Sequence, residues 1–416
     1  MTNAISTRQL VARYAAGFNA RYAVHHGVTS PLGAWLLLAV AAPATDGDAR
    51  ARLEAVLGCP AADAAERAAA LLSTAHPAVS CAAAVWWRPD LMVERFGAIV
   101  DGLPAGVERG PVPSRAAADR WAAEHTGGLI ERFPIEIDVL SALVLATAVA
   151  TDVSWAAPFT EVPGTELGGA WGAAATSALA AVHEHQQFVA ATDHAGLVAV
   201  HIASARRGLD VVSVLAAADT APTDVHAAAH EVAAMLAGDA SGASRVSLFD
   251  LPLGDGAAWT LTERVETRYS GGSKIETVTS FLPAWSANST HDVLAAPGFG
   301  ELCDTFGALL RAEEGPPSFD AVQSAVARYT RVGFAAAAIT AFGMRAGAMP
   351  HEVRAVCRYA TVRFNRPYAV VAVATDRLVD ETGRPTRADT PAWSGMPVFS
   401  AWVERPDPSA EPGPAG

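Results

Sequence analysis

Apolar residues recur at helical spacing over Arg8–Tyr22, which predicts an amphipathic helix near the start of the chain. Ser30-Pro31 then opens a strongly apolar helix running through Ala41, with proline in the first turn, where its missing N–H costs least. Asp46–Leu57 carries a polar face and ends before Gly58, and Ser114 offers a capping oxygen to a helix over Arg115–His125 that Gly127-Gly128 stops. Beyond this point the period shortens. Ala142–Val153 is a nearly continuous run rich in Val, Leu and Thr, which predicts a central strand buried on both faces. Gly196–Ser204 and Leu209–Ala216 read as two strands turned at Arg206-Arg207-Gly208. Thr223–Leu236 returns to helix, and Ser289–Asp304 is expected to hold a short helix broken at Pro297-Gly298. Val322–Tyr329, Tyr368–Thr375 and Pro397–Val403 are further expected strands. Helices and strands segregate rather than alternate, so the pattern favours an α+β class over a doubly wound sheet.

One stretch resists this scheme. Arg331-Val332-Gly333-Phe334-Ala335-Ala336-Ala337-Ala338-Ile339-Thr340 places four alanines in a row between strand signals. Intrinsic propensity favours helix there. Small side chains equally suit a segment that slips between closely packed strands.

Composition narrows the field. With 51% apolar and 18% charged residues in 416, the chain can bury a sizeable core. Its net charge of −13, with Lys274 the single lysine, argues against nucleic acid or an anionic membrane as the main partner. Alanine abundance with so little lysine points to a GC-rich bacterial genome. Cys59, Cys81, Cys303 and Cys357 show no metal-ligand spacing, and nothing requires a disulfide. The longest apolar stretch, around Gly33–Ala42, is too short to span a bilayer. The N-terminal residues show no basic segment followed by an apolar one, so the expectation is a cytoplasmic, soluble monomer, with an extracellular place open only through a non-classical route.

Catalytic constellations are missing. His183-Glu184-His185 has no third ligand in sequence and reads as an exposed polar turn, as does His25-His26. Gly271-Gly272-Ser273-Lys274 lacks the order of a phosphate loop, and Gly168-Gly169-Ala170-Trp171-Gly172 lacks a preceding strand signal. No nucleophile elbow and no His-Glu-x-x-His helix occurs, so the sequence implies neither an enzyme nor a cofactor.

Several segments, taken in order, resemble a serpin, and the resemblance covers nearly the whole chain. Ser30-Pro31-Leu32 with its apolar helix and Thr45-Asp46-Gly47-Asp48 resembles the family's second helix and the following turn. Ala118-Asp119-Arg120-Trp121 followed by Thr126-Gly127-Gly128-Leu129-Ile130 is similar to the helix that crosses the main sheet. Leu143–Trp155 with Pro158-Phe159 resembles the central strand and its tryptophan. Phe364-Asn365-Arg366-Pro367-Tyr368 and Pro397–Val403 resemble the C-terminal strand signatures.

The resemblance implies a domain over residues 8–406, with a Pro-rich tail at 407–416 expected to be disordered. It implies three β-sheets, about nine helices and an exposed reactive loop. In the family a serine protease cleaves that loop as an acyl-enzyme, and the loop inserts into the main sheet with the protease attached. By this likeness Gly333 is the hinge glycine. Ala335–Ala338 and Thr340 are the small residues that permit insertion, with Phe334, Ala336, Ala338 and Thr340 facing inward at strand period. Inhibitory members usually carry a small hydroxyl residue where Phe334 stands, and its ring is expected to slow insertion by overpacking.

The positions at which the sheet opens map to Ser30, Thr147, Trp155 and Gln323. Thr147 replaces the family's asparagine, Gln323 its buried histidine and Gly33 a serine, so Thr147 or Ser30 pairing with Gln323 is the available substitute. Arg331 and Ala284 replace an acidic residue and its lysine partner. The cleavage point is expected at Arg345-Ala346, then Gly347-Ala348, then Arg354, with Arg358 behind it. The expected partner is a trypsin-, elastase- or subtilisin-like protease. The competing expectation is a non-inhibitory serpin-fold protein with a binding or structural role, whose loop is cleaved without trapping.

Overall fold

The computed structural model describes residues 5–138, 141–268, 272–310, 319–334, 353–380 and 383–407. Nine α-helices and four β-sheets lie among them, in an α+β arrangement, where three sheets were expected, because one layer is split into two sheets.

The helix pattern is set by local chemistry. Thr7–Tyr22, Pro31–Ala41, Gly47–Leu57 and Arg115–His125 all form within a residue of their sequence boundaries. Ser30 and Ser114 each accept a backbone N–H of the first turn on the side-chain oxygen, from Gly33 and Ala117. Gly58 closes the third helix at φ +77°, a left-handed conformation that costs a glycine little. The Ala61–Ser73 helix, rich in alanine, has no counterpart in the expected elements.

The largest sheet is antiparallel and buried. Its order is Gly27–Thr29, Met396–Val403, Tyr368–Val379, Arg207–Leu215, Gly196–Ser204, Gln186–Thr192 and Ser244–Val246, with Pro385–Arg387 beside the third of these. The Pro222–Leu236 helix covers one face through Val225, Ala229 and Val232, which meet Val200, Val212 and Val371. The other face packs on the main core with Leu10, Phe18, Leu32 and Trp35. Burial on both sides explains why these strands read as continuous apolar runs.

A second sheet runs in the order Gly254–Asp255, Trp259–Arg268, Val353–Arg363, Lys274–Leu282, Ser177–Ala180 and Thr160–Pro163. The third layer is divided. Val107–Pro111, Ser80–Trp87 and Leu143–Ala150 form one part, and Val153–Ser154, Gly333–Phe334, Val322–Tyr329 and Trp285–Asp292 form the other. The chain crosses between them at Thr151–Asp152.

Three expectations change. The central strand is not uniformly buried, because Val144, Ala146, Ala148 and Ala150 are covered while the alternate positions are half-buried. The buried set packs under the Arg115–His125 helix, with Trp86 and Trp121 edge to face at 5.2 Å. The start of Ser289–Asp304 is strand, and the helix begins at Phe299 after Gly298 turns the chain at φ +90°. The stretch before Tyr368, without visible period, holds the 11-residue strand Val353–Arg363. Asp407 donates its backbone N–H to Ala284, one residue past the expected domain end, and residues 408–416 lie outside the described ones. No described helix is long and apolar enough to cross a membrane.

Candidate functional site

The divided layer is where the fold does something unusual. Leu143–Ala150 and Val322–Tyr329 would be neighbours in a continuous sheet, yet among the described residues they share no ladder. At one end the gap is filled by Gly333–Phe334. The chain leaves Val322–Tyr329, reverses, and comes back between the two halves, pairing Phe334 with Tyr329 on one side and with Val153 on the other. Leu129, Thr151, Val326, Ala327, Arg328 and Phe334 line a small cleft below this point.

The reversal is closed locally by Thr330, whose backbone N–H and side-chain hydroxyl both donate to the Gly333 carbonyl at 3.0 Å. From the other side, the segment after the central strand takes the turn's carbonyls in sequence. Trp155 Nε1 donates to Thr330 at 2.9 Å, the Trp155 amide to Val332 at 3.0 Å and the Phe159 amide to Arg331 at 2.9 Å. Trp155 is 1% exposed, so its indole N–H has no water to turn to and the bond is obligatory.

The Phe334 ring, 3% exposed, lies 6.3 Å from Trp285 and 6.5 Å from Trp155 between centroids. Tyr329 stacks on Trp285 at 5.9 Å and tilts against Trp155 at 5.2 Å. The overpacking expected at Phe334 does not arise at the seat the ring occupies here, because Trp155 and Trp285 accommodate it. Arg331 is exposed beside the buried Val332.

Ser30, Thr147 and Gln323 meet deeper in the same layer. The Gln323 side chain takes both backbone groups of Ser30, accepting from its N–H and donating to its carbonyl, each at 2.9 Å. The Ser30 hydroxyl donates to Val398 at 2.9 Å while accepting from the Gly33 amide. Thr147 donates instead to the Gly33 carbonyl at 2.9 Å. Ser30, not Thr147, is thus the partner of Gln323, and the pairing is with its backbone.

Two histidine pairs escaped sequence reasoning, with His185, His201 and His226 buried and His230 half-buried. His185 Nδ1 and His201 Nε2 are 3.1 Å apart, with His185 Nε2 donating to Ala157 at 2.8 Å and Phe159 packed on both rings. His185 is therefore a buried group, whereas its neighbours His183 and Glu184 are exposed as expected. Desolvation lowers the pKa of both partners of this pair. On the Pro222–Leu236 helix, desolvation pushes His226 down to about 3 and His230 to about 4. Asn19 ties His230 to Ser400 and Thr29. His226 and His230 stand four apart on one helix, a spacing the sequence carries, whereas His185 and His201 meet only in the packed sheet.

The remaining site expectations divide. Ala335, Ala336, Ala337, Ala338, Thr340, Arg345, Ala346, Gly347 and Ala348 lie outside the described residues. Arg354 sits opposite Thr267 within a strand, and Arg358 bonds Glu263 at 2.9 Å. A backbone held in a ladder is not presented to a protease, so these two are poor cleavage points. No cluster of metal-ligating side chains occurs among the described residues, and the four cysteines are free.

A separate cavity of about 250 Å³ opens between the Pro222–Leu236 helix and the largest sheet. Its wall joins Val212, Leu236 and Val373 to Asp210, which is 4% exposed and ion-paired to Arg377.

No family model matches the sequence, and no curated protein does so either. Solved structures do match. The thermophilic serpin tengpin in its native state superposes with a TM-score of 0.61 at 15% identity, over 95% of this chain and 93% of that one. The chain has the serpin fold. Serpin48 of the insect Tenebrio molitor, described as highly specific, gives 0.57 at 14% identity over 97% and 99% of the two chains. Thyroxine-binding globulin in complex with thyroxine gives 0.56 at 12% over 96% and 99%. In serpin terms, the divided layer is the main sheet; the described chain leaves it at Phe334 and resumes at Val353 in the second sheet.

Proposed function

We propose that the protein is a serpin-type inhibitor of a serine protease, acting through cleavage in residues 335–352 and insertion of that segment into the divided sheet. The observation that carries this is Gly333–Phe334, a two-residue strand already lying in register between Val153–Ser154 and Tyr329. Its direction is that of an inserting strand, antiparallel to both neighbours. In the proposed reaction the protease serine oxygen bonds the carbonyl carbon at the cleavage point. The C–N bond breaks, and the new amine leaves with a proton. The 18 residues 335–352, extended at about 3.3 Å each, carry the bound enzyme by up to about 60 Å.

Incubation with trypsin-, elastase- and subtilisin-like proteases tests this. An SDS-resistant complex and a rise in the melting temperature of the cleaved chain are expected. Clean cleavage with neither would sink it.

A second function, binding without trapping, is favoured by the cavity beside Asp210. At about 250 Å³ it is somewhat small for a drug-sized ligand, but it joins an apolar wall to a buried carboxylate and an arginine. The use of this fold for thyroxine in thyroxine-binding globulin supports such a role. A thermal-shift screen of small amphiphiles, with Val212→Trp filling the cavity, separates the two functions. Stabilisation that the tryptophan abolishes is expected only of a carrier.

A further inference from the structure

The segment after residue 352 is held with unusual thoroughness. Val353–Arg363 is an interior strand of the second sheet. On one side it pairs antiparallel with Trp259–Arg268, from Arg268↔Val353 to Trp259↔Val362. On the other it pairs parallel with Lys274–Leu282, from Lys274↔Val356 to Phe281↔Arg363. Side chains reinforce the first of these seams. Arg358 bonds Glu263 at 2.9 Å and reaches across to the carbonyls of Leu248 and Leu251 at 2.6 and 2.9 Å. The Tyr359 hydroxyl donates to Glu266 at 2.7 Å. Ala355, Cys357, Ala360 and Val362 are all at most 1% exposed.

Geometry makes this strand decisive for any insertion without a cut. If residues 335–352 entered the sheet while the chain was whole, residue 352 would move to the far end, up to about 60 Å from Phe334. The peptide bond to Val353 would then drag this strand after it, and its ladders would have to unzip. An edge strand gives up one row of hydrogen bonds when it peels. An interior strand gives up two, and leaves both neighbours with unpaired backbone groups.

We propose that Trp259–Arg268 is a clasp that locks Val353–Arg363 into its sheet, so that the intact chain does not convert and insertion waits for cleavage. The conversion part of this inference rests on the proposed function. The clasp itself does not, and the test separates them.

Hydrogen exchange on the intact protein, read by mass spectrometry, is expected to show amides 353–363 as slow as those of Met396–Val403. Exchange a hundredfold faster would overturn the clasp. The pair Glu263→Lys with Glu266→Lys places repulsion against Arg358 and removes the acceptor of Tyr359, at one exposed and one half-buried position on the two faces of the strand. It is expected to speed exchange over 353–363 at least tenfold while leaving 396–403 unchanged. On warming, this intact variant is expected to reach the higher-melting form that wild type reaches only after cleavage. Unchanged exchange in the variant, or intact wild type converting as fast as the variant, would overturn the proposal. If cleaved wild type gains no thermal stability, the insertion mechanism fails, while the exchange comparison still decides whether the clasp exists.

Discussion

Phe334→Ala probes the seat of the hinge most directly. The ring is 3% exposed and packed against Trp155 and Trp285, with backbone pairs to Tyr329 and Val153. Truncating a buried phenylalanine costs about 3–5 kcal/mol when the surroundings cannot close the void. Here the lower figure applies, because a two-residue strand can leave the sheet instead of sustaining a hole. About 3 kcal/mol then comes out of the balance between seated and unseated hinge, a shift of roughly 100-fold. The rest of the fold loses little, so the urea midpoint should fall by the equivalent of no more than about 1 kcal/mol. Two signals report the unseating. Tryptophan emission should move to longer wavelength as water reaches Trp155 and Trp285, and a trypsin-like protease should cut residues 335–352 markedly faster. Unchanged emission together with a cleavage rate within twofold of wild type would refute the idea that the ring anchors the hinge. Phe334→Thr is expected to behave like the alanine variant, since a threonine removes the anchor and not an obstacle.

Other consequences are more local. Gln323→Ala strands the N–H and carbonyl of Ser30 in a half-buried place, and a loss of about 2–3 kcal/mol is expected in urea unfolding. Trp155→Phe keeps the packing but leaves the Thr330 carbonyl without its donor, at about 1–2 kcal/mol, and should loosen the hinge in the same protease assay. Stability should also depend on pH through His226 and His230. Their folded pKa values, about 3 and about 4, lie below the unfolded value near 6.5, so the unfolded chain binds protons that the native chain refuses. Stability is therefore whole above pH 6.5 and falls as the pH drops towards 4, by at most about 1.4 kcal/mol per pH unit for each histidine. Replacing both with glutamine should reduce the slope of the urea midpoint across that window, leaving the share carried by His185 and His201. An unchanged slope would count against His226 and His230 as a cause.

The helices near the start were legible because capping and periodicity are written in neighbouring residues. Ser30, Ser114 and Gly58 act within one turn of where they stand. Gly196–Ser204 was legible as a largely apolar run that opens on a glycine, and Val322–Tyr329 through the alternation of Ala325, Ala327 and Tyr329 with more exposed positions. Val353–Arg363 was not. Arg354, Arg358 and Arg363 interrupt its apolar positions, and it is a strand because Trp259–Arg268 and Lys274–Leu282 pair with it from distant parts of the chain. The substitute for the missing polar pair was half visible, since Gln323 was named but its partner proved to be the Ser30 backbone.

By itself the sequence determined the helices at Thr7–Tyr22, Pro31–Ala41, Gly47–Leu57 and Arg115–His125, the α+β class, the likeness to serpins and the small-residue run after Gly333. All of these depend on residues close together or on motifs in a fixed order. The tertiary structure alone decided that the sheet is divided and that Phe334 fits inside it. It also decided that the chain beyond residue 352 is held between two strands. Each of these is a meeting of residues far apart in sequence, and their fit is a matter of packing, which no local pattern encodes.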